Sequence, residues 1–173
     1  RLAVEHLLGL GYQRIATITG DLDTFAGQDR LAGYRQALQE AGIGVDQRWI
    51  VDGKFREESA FQAARVLLTR DIEAIFIGSD LMARGALRAI NEAGLRVPQD
   101  IAIVGFDDLA LAVSTFPQLT TIHQPVRELG FKAVELLLKL LENEALSPQQ
   151  VILDVELMVR DSCPASAGKA TAA

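Results

Sequence analysis

Short runs of apolar, mostly β-branched residues alternate along the chain with longer stretches in which apolar residues recur at helical spacing. Such runs predict strands and the stretches after them predict helices. A first helix is predicted at 1–8. Three strands follow, each with a helix after it: the strand Ile15–Thr19 with a helix at about 27–41, the strand 49–52 with a helix at 57–69, and the strand Ala74–Ile77 with a helix that runs to 93. Because unbroken apolar runs suit strands buried on both faces, this alternation predicts an α/β fold with a doubly wound, mainly parallel sheet and right-handed crossovers.

The later part of the chain adds strands at 101–105 and 120–123, the long helix Val126–Glu142, and a final strand at 151–159. The helix carries the clearest amphipathic stripe, with leucines on one side. Residues 109–117 predict no regular element and are unexpectedly apolar. An apolar loop of this kind indicates either a partner surface or a segment folded onto its own core.

Composition narrows the class of protein. The chain has 173 residues, of which 49% are hydrophobic, which is typical of a globular protein with one domain or two small lobes. Its 17 basic and 23 acidic residues give a net charge of −6. Because binding to a phosphate backbone requires clustered lysine and arginine, the chain by itself is expected to bind DNA poorly.

The few cysteines and histidines exclude further classes. Cys163 is the only cysteine, so no internal disulfide can form and a reducing compartment is expected. The histidines lie far from Cys163 and lack the spacing of metal ligands. No apolar run approaches transmembrane length, so no membrane association is expected. The chain begins at Arg1, within a predicted helix, and we expect it to be a fragment of a longer protein.

Polar side chains gather where the predicted strands end. In an open α/β sheet, ligands bind beyond the carboxyl ends of the strands, where loop side chains converge. The strand at 101–105 is followed by an aromatic residue and two carboxylates, and we expect Asp107 to face a small polar ligand. The residues that the pattern places at this edge are Asp21, Asp23, Phe25, Arg30, Phe55, Ser79, Asp80, Asp107 and Asp108.

This combination of residue types suits a concave site for a polyol. The acid accepts hydrogen bonds from sugar hydroxyls, the arginine and a small polar group donate to them, and an aromatic side chain stacks on the sugar ring. Structural interpretations remain open beside this one. Asp21 suits a turn, and Ser79 or Asp80 suits a helix N-cap. Arg30 could be a solvated charge, and Phe55 could fill a gap in the core.

Catalysis has little support in the sequence. There is no G-x-S-x-G elbow, P-loop, H-E-x-x-H motif or dinucleotide fingerprint. His6 lies on the stripe of a helix and His123 ends a strand, and both are better interpreted as packed or partly exposed than as site residues. We therefore expect a protein that is not an enzyme and needs no cofactor.

Five short motifs in a fixed order resemble those of one family. They are RLAGY at 30–34, SDLMA at 79–83, GFDD at 105–108, LTTI at 119–122 and QP at 124–125. Their order and spacing resemble the lactose-repressor (LacI/GalR) type regulators, and the resemblance runs from residue 1 to about 161.

The resemblance implies a periplasmic-binding-protein-like fold of type I, in which two lobes close on a small effector. Residues 1–123 would form the C-terminal lobe, 124–149 would cross over and supply a helix of the other lobe, and 150–161 would return as a strand of the C-terminal lobe. Residues 162–173 are expected to form a disordered tail. DNA binding would come only from an N-terminal helix-turn-helix that this chain lacks.

Family roles carry over by position. Arg30 resembles the arginine that grips effector hydroxyls or a carboxylate, Phe55 the aromatic loop residue and Asp107 the hydroxyl-binding acid. Ser79 stands where many members have asparagine, so the hydroxyl is shorter and offers one donor instead of an amide's donor and acceptor. The expected ligand-binding set is Arg30, Phe55, Ser79, Asp107, Asp21 and Phe25.

The resemblance also implies partners and a location. It implies a small effector of the carbohydrate class and a homodimer formed through the segments from Leu81 to Glu92 and from Leu109 to Phe116. A DNA-binding regulator of this kind would be cytoplasmic.

Three other functions share part of this pattern. A periplasmic sugar-binding protein of the same architecture would carry a secretion signal upstream in place of a helix-turn-helix. A phospho-acceptor receiver domain needs an acidic pair after the first strand and a lysine after the last, whereas the adjacent acids here follow the fourth strand. An enzyme would need a nucleophile–base pair, which the sequence does not reveal.

Overall fold

A six-stranded sheet forms the centre of the protein. The structure is a computed structural model and describes residues 1–142 and 150–165. The strands lie in the order β2-β1-β3-β4-β5-β6; they are β1 (Ile15–Thr19), β2 (Ile50–Asp52), β3 (Ala74–Ile77), β4 (Ala102–Asp107), β5 (Thr121–His123) and β6 (Glu156–Met158). The first five run parallel and β6 is antiparallel to β5. The predicted α/β, mainly parallel sheet is therefore confirmed.

The described part of the chain forms five helices, of which the first four cover both faces of this sheet. They are α1 (Leu2–Gly9), α2 (Phe25–Glu40), α3 (Glu57–Leu67), α4 (Asp80–Glu92) and α5 (Val126–Glu142), with short 3-10 helices at Gln47–Trp49 and Ala110–Val113. Alternate residues of β3 point to opposite sides: Ala74 and Phe76 pack with α1 and α2, and Ile75 and Ile77 pack with α3 and α4. The two-sided burial explains why the strands are continuously apolar.

Most element boundaries differ from the sequence prediction by one or two residues, and the final strand differs by more. Helix α2 begins at Phe25, before the predicted 27, because the Thr24 hydroxyl accepts a hydrogen bond from the Gly27 N–H at 3.1 Å and caps the helix. The final strand, predicted at 151–159, is only Glu156–Met158. Its partner β5 has three residues, and β6 is paired along that length alone.

The segment from 162 onward does not begin as a loose tail. Ser162 and Cys163 are fully buried. The Ser162 hydroxyl donates to the Ile103 carbonyl oxygen at 2.8 Å and accepts from the Thr120 N–H at 2.8 Å. These bonds join β4 to the segment before β5, so the expected disorder is wrong for these two residues. Burial raises the pKa of the Cys163 thiol to about 12. Residues 166–173 lie outside the described part of the chain.

Helix α5 differs from the other helices because it does not pack into the core. No residue from 126 to 141 is buried, and most of its large apolar side chains are exposed. Four of its charged residues, Glu128, Lys132, Glu135 and Lys139, share one side of the helix, and apolar residues occupy most of the rest. Among the residues that the structure describes, no helix is long and apolar enough to cross a membrane.

Ser162→Ala tests the role of the buried hydroxyl. The substitution leaves the Thr120 N–H and the Ile103 carbonyl oxygen without this partner, so the free energy of unfolding should fall by about 1–3 kcal/mol. Urea denaturation measures the change. The control is Ser114→Ala, because the Ser114 hydroxyl is exposed, and it should change stability by less than about 0.5 kcal/mol. Equal losses in the two variants would contradict this account.

Candidate functional site

Arg30, Phe55 and Asp107 meet at the carboxyl edge of the sheet. An Arg30 guanidinium nitrogen lies 3.4 Å from the Asp107 Oδ1, and the guanidinium carbon lies 5.2 Å from the centre of the Phe55 ring. The same carbon lies 3.9 Å from the centre of the Phe106 ring. A second Arg30 nitrogen donates to the Gly78 carbonyl oxygen. The structure therefore brings an arginine, an acid and two aromatic rings together.

The loop that carries Phe55 is shaped by its neighbours. Lys54 and Phe55 have φ angles of 51° and 53°, which non-glycine residues rarely adopt. The Asp52 carboxylate accepts from the Lys54 N–H at 2.8 Å and stabilises this turn. A Cβ atom at Gly20 would lie 2.0 Å from the Phe55 ring, so a glycine is required there for the ring to reach Arg30.

Asp107 and Asp108 occupy an unusual backbone conformation. Their φ angles are 119° and 58°. Consecutive positive φ angles at non-glycine residues cost free energy and occur where surrounding contacts fix them, often at ligand sites. The Gln124 amide donates to the Asp107 Oδ1 at 2.7 Å. The backbone at the end of β4 is therefore held in a conformation in which the carboxylates of Asp107 and Asp108 contact different partners.

The electrostatics of the pair follow from its burial. The Arg30 and Asp107 side chains are 16% and 20% exposed. Burial raises the pKa of Asp107 to about 6, although the Arg30 charge opposes the rise; the charge of Asp80 adds to it, and hydrogen bonds from Gln124 and the Asp80 backbone oppose it. Burial also lowers the pKa of Arg30, and Asp107 opposes that change. Near pH 7 the site is an ion pair whose acid is close to titrating.

Ser79 and Asp80 have structural contacts. Ser79 is the N-cap of α4, is 5% exposed, and accepts from the Met82 N–H at 3.3 Å. Asp80 is fully buried; its carboxylate accepts from the Thr121 hydroxyl at 2.6 Å and from the Leu109 N–H at 2.8 Å. Burial raises the pKa of Asp80 despite these bonds. Asp80 thus connects α4 to β5 and to the loop after β4.

Asp21 and Phe25 lie on the loop after β1 and at the start of α2. The Asp21 carboxylate accepts from the Asp23 N–H at 3.1 Å, which stabilises the turn. Phe25 is 84% exposed, which leaves its ring available at the rim. Neither residue is drawn into the contacts that join Arg30, Phe55 and Asp107.

Sequence reasoning did not select four residues that contribute here. Phe106 stacks on Arg30 and Gln124 binds Asp107. His123 and Arg160 both contact the Asp108 carboxylate. The QP motif and the position of His123 at a strand end were visible signals, whereas the pairing of Arg160 with Asp108 crosses 52 residues and left no local pattern. In the described part of the chain, no cluster of acids, histidines and Cys163 could hold a metal.

A doubly wound sheet with a polar site at the carboxyl ends of its strands is typical of a ligand-binding domain. The sequence profile of the periplasmic binding protein-like domain matches residues 4–163, and the chain belongs to this family.

Related proteins agree with this assignment. The ribose operon repressor of Escherichia coli K12 is 42% identical over 163 residues, which are 93% of this chain and 49% of the repressor. A solved complex of the transcriptional regulator CelR with cellobiose is 41% identical, with a TM-score of 0.90, and the match covers 92% of this chain and 50% of that one.

A lac repressor dimer bound to operator and an anti-inducer is 38% identical, with a TM-score of 0.85 over 93% of this chain and 48% of that chain. These relatives are LacI-family transcriptional regulators. The chain spans about half the length of the curated relatives that it matches.

The raised pKa of Asp107 makes a prediction about stability. Because its pKa is about 6 when folded and its ordinary value is 3.8, this group stabilises the fold fully below the ordinary value, and that contribution is lost as the pH rises through 6. When the pH falls from 7.5 to 4.5, the free energy of unfolding of wild type should therefore rise by up to about 2 kcal/mol relative to that of Asp107→Asn. Urea denaturation at each pH measures the difference.

The matched control for this measurement is Asp100→Asn. The hydrogen bonds from Arg96 lower the pKa of Asp100 to about 2, so Asp100 stays charged across the same pH range. The difference in free energy of unfolding between Asp100→Asn and wild type should therefore not change with pH in this range. A flat difference for Asp107→Asn as well would contradict the assigned burial of that carboxyl group.

Proposed function

We propose that this chain is the C-terminal part of the effector-binding domain of a LacI-family transcriptional regulator and that Arg30, Phe55 and Asp107 bind an uncharged, sugar-like effector. The contact of the Arg30 guanidinium with both the Asp107 carboxylate and the Phe55 ring carries this proposal. The repressor and regulator relatives support it over a periplasmic sugar-binding protein or an enzyme. DNA binding and a cytoplasmic location would follow from an N-terminal DNA-binding domain.

The charges at the site favour a neutral effector. Asp107 neutralises Arg30, and Arg30 also donates to the Gly78 carbonyl oxygen, so this cation is already paired before a ligand arrives. A carboxylate and a guanidinium held in this way accept from and donate to hydroxyl groups. The Phe55 ring offers an apolar face for a sugar ring, and the exposed Phe25 ring and Asp21 extend the site at its rim. Ser79 retains a hydroxyl proton that can be donated to a ligand.

The lobe boundaries are part of the proposal. Residues 1–123 and 150–161 form this lobe, and the buried Ser162 and Cys163 extend it. Residues 124–149 cross to the other lobe, of which the described part is residues 124–142. The exposure of the apolar side chains of α5 supports this division, because an apolar helix without a cover is unstable in water.

Dimerisation through the segments from Leu81 to Glu92 and from Leu109 to Phe116 completes the proposal. Phe116 is 99% exposed and Val113 is 51% exposed, although the neighbouring Ala112 is buried. A groove of about 530 Å³ beside Phe116 is lined by the last turns of α4. An exposed aromatic next to a groove is typical of a self-complementary interface.

Asp107→Ala in the full-length regulator tests effector binding. Neutral sugars, including ribose, glucose and cellobiose, should raise the melting temperature of wild type, whereas their phosphate esters and uronic acids should not. Loss of charge-assisted hydrogen bonds worth about 1.5–3 kcal/mol should weaken binding about 10- to 100-fold in calorimetry and remove the thermal shift. Asp71→Ala, at an exposed carboxylate, should bind like wild type. An unchanged thermal shift in Asp107→Ala would refute the proposed role.

Phe116→Asp tests the dimer. A charge at the centre of an apolar interface should raise the dimer dissociation constant about 100-fold, equivalent to about 3 kcal/mol. Sedimentation equilibrium of the full-length regulator measures it. Val66→Asp places a charge at an exposed apolar residue of α3 and should leave the dimer intact. A dimer that tolerates Phe116→Asp would place the interface elsewhere.

A further inference from the structure

Two adjacent acids at the end of β4 face different partners. Asp107 contacts Arg30 and Gln124, in the proposed effector site. The Asp108 carboxylate contacts His123 and Arg160, on the side of β5 and β6. Because both residues have positive φ angles and share a peptide unit, a change in the backbone at one is transmitted directly to the other.

Asp108 holds two segments that are distant in sequence. Its Oδ2 lies 2.9 Å from the His123 Nδ1, and its Oδ1 accepts from the Arg160 guanidinium at 2.6 Å. Arg160 is fixed further, since it donates to the Leu119 carbonyl oxygen at 2.8 Å and its N–H donates to the Thr120 hydroxyl at 2.8 Å. The Asp108 and Arg160 side chains are each 14% exposed, so water screens this pair only partly.

The first segment leads out to α5, and the second follows β6, the strand on which the chain returns. The chain leaves the sheet after His123, the last residue of β5, and returns at Glu156, the first residue of β6. These two residues are paired across the antiparallel ladder. Gln124, the next residue of the outgoing segment, contacts Asp107. The Asp108 carboxylate thus joins the strand end of the effector site to the last residue before the outgoing passage and to a residue just beyond the returning strand.

We propose that Asp108 is a positioning residue that couples effector occupancy at Asp107 to the orientation of the other lobe, through its contacts with His123 and Arg160. Effector hydroxyls that shift Asp107 move the shared backbone. Asp108 then transmits this movement to the end of β5, where the chain leaves the sheet, and to Arg160 after β6. The role rests on the proposed function, and it predicts that Asp108 affects the coupling between sites more than effector affinity.

The experiment measures effector affinity and coupling separately in the full-length regulator. The ligand is whichever of ribose, glucose and cellobiose raises the melting temperature most, and operator DNA is selected in vitro from a random duplex library. Calorimetry gives the sugar Kd of the free protein, and fluorescence anisotropy gives operator affinity with and without saturating sugar. The ratio of the two operator affinities is the coupling factor.

Asp108→Asn keeps the side-chain size and tolerates a positive φ angle, while it removes the charge that Arg160 requires. The sugar Kd should stay within about threefold of wild type, and the coupling factor should fall at least about tenfold. His123→Gln, at a partly exposed position, should reduce coupling in the same direction if Asp108→Asn does not fold. Glu128→Gln, on the exposed surface of α5, is the matched control and should leave coupling unchanged.

Wild-type coupling in Asp108→Asn, or in His123→Gln where the first does not fold, would overturn the proposed role. A large loss of sugar affinity with intact coupling would also overturn it, because Asp108 would then be a binding residue. A wild-type protein that binds none of the three sugars would overturn the proposed function and this role together, which distinguishes that failure from the others.

Discussion

The contact between Arg30 and Asp107 is the interaction on which the site depends. Each charge is largely removed from water, and burial alone opposes ionisation of both. A partly buried ion pair is stable only when each partner compensates the other and further hydrogen bonds satisfy both. The Gly78 carbonyl oxygen and the Gln124 amide supply those bonds, and the rings of Phe55 and Phe106 limit access of water to the guanidinium.

The sheet makes this arrangement rigid. The strands β1, β3 and β4 are covered on both faces, so their carboxyl ends are fixed relative to one another. The buried Asp80 carboxylate binds Thr121 on β5 and the Leu109 N–H after β4. A Cβ atom at Gly105 would lie 2.4 Å from that carboxylate, so the strand needs a glycine where Asp80 approaches. A fixed frame is what allows loops to hold strained backbone at Asp107.

Much of the fold could be predicted from the sequence, because buried parallel strands leave local apolar runs and helix starts leave local cap residues. The placement of Arg30, Phe55 and Asp107 at one edge followed from topology, since the carboxyl ends of parallel strands share an edge. The burial of Ser162 and the contact of Arg160 with Asp108 could not be predicted. Both depend on pairing between segments more than 40 residues apart, for which a single sequence has no periodic signal.

In the proposed two-lobed protein, the burial of Asp107 would link effector binding to closure of the lobes. In the open lobe the carboxylate still has access to water, and its pKa is already raised to about 6. A second lobe that covers it without a ligand removes that water and leaves a buried carboxylate with fewer partners, which is costly. Effector hydroxyls that donate to the carboxylate replace the water. Under the proposed function, the buried charge that would select a hydroxyl-rich, neutral ligand would also make closure depend on that ligand. Gln124, the first residue after β5, lies in direct contact with that charge.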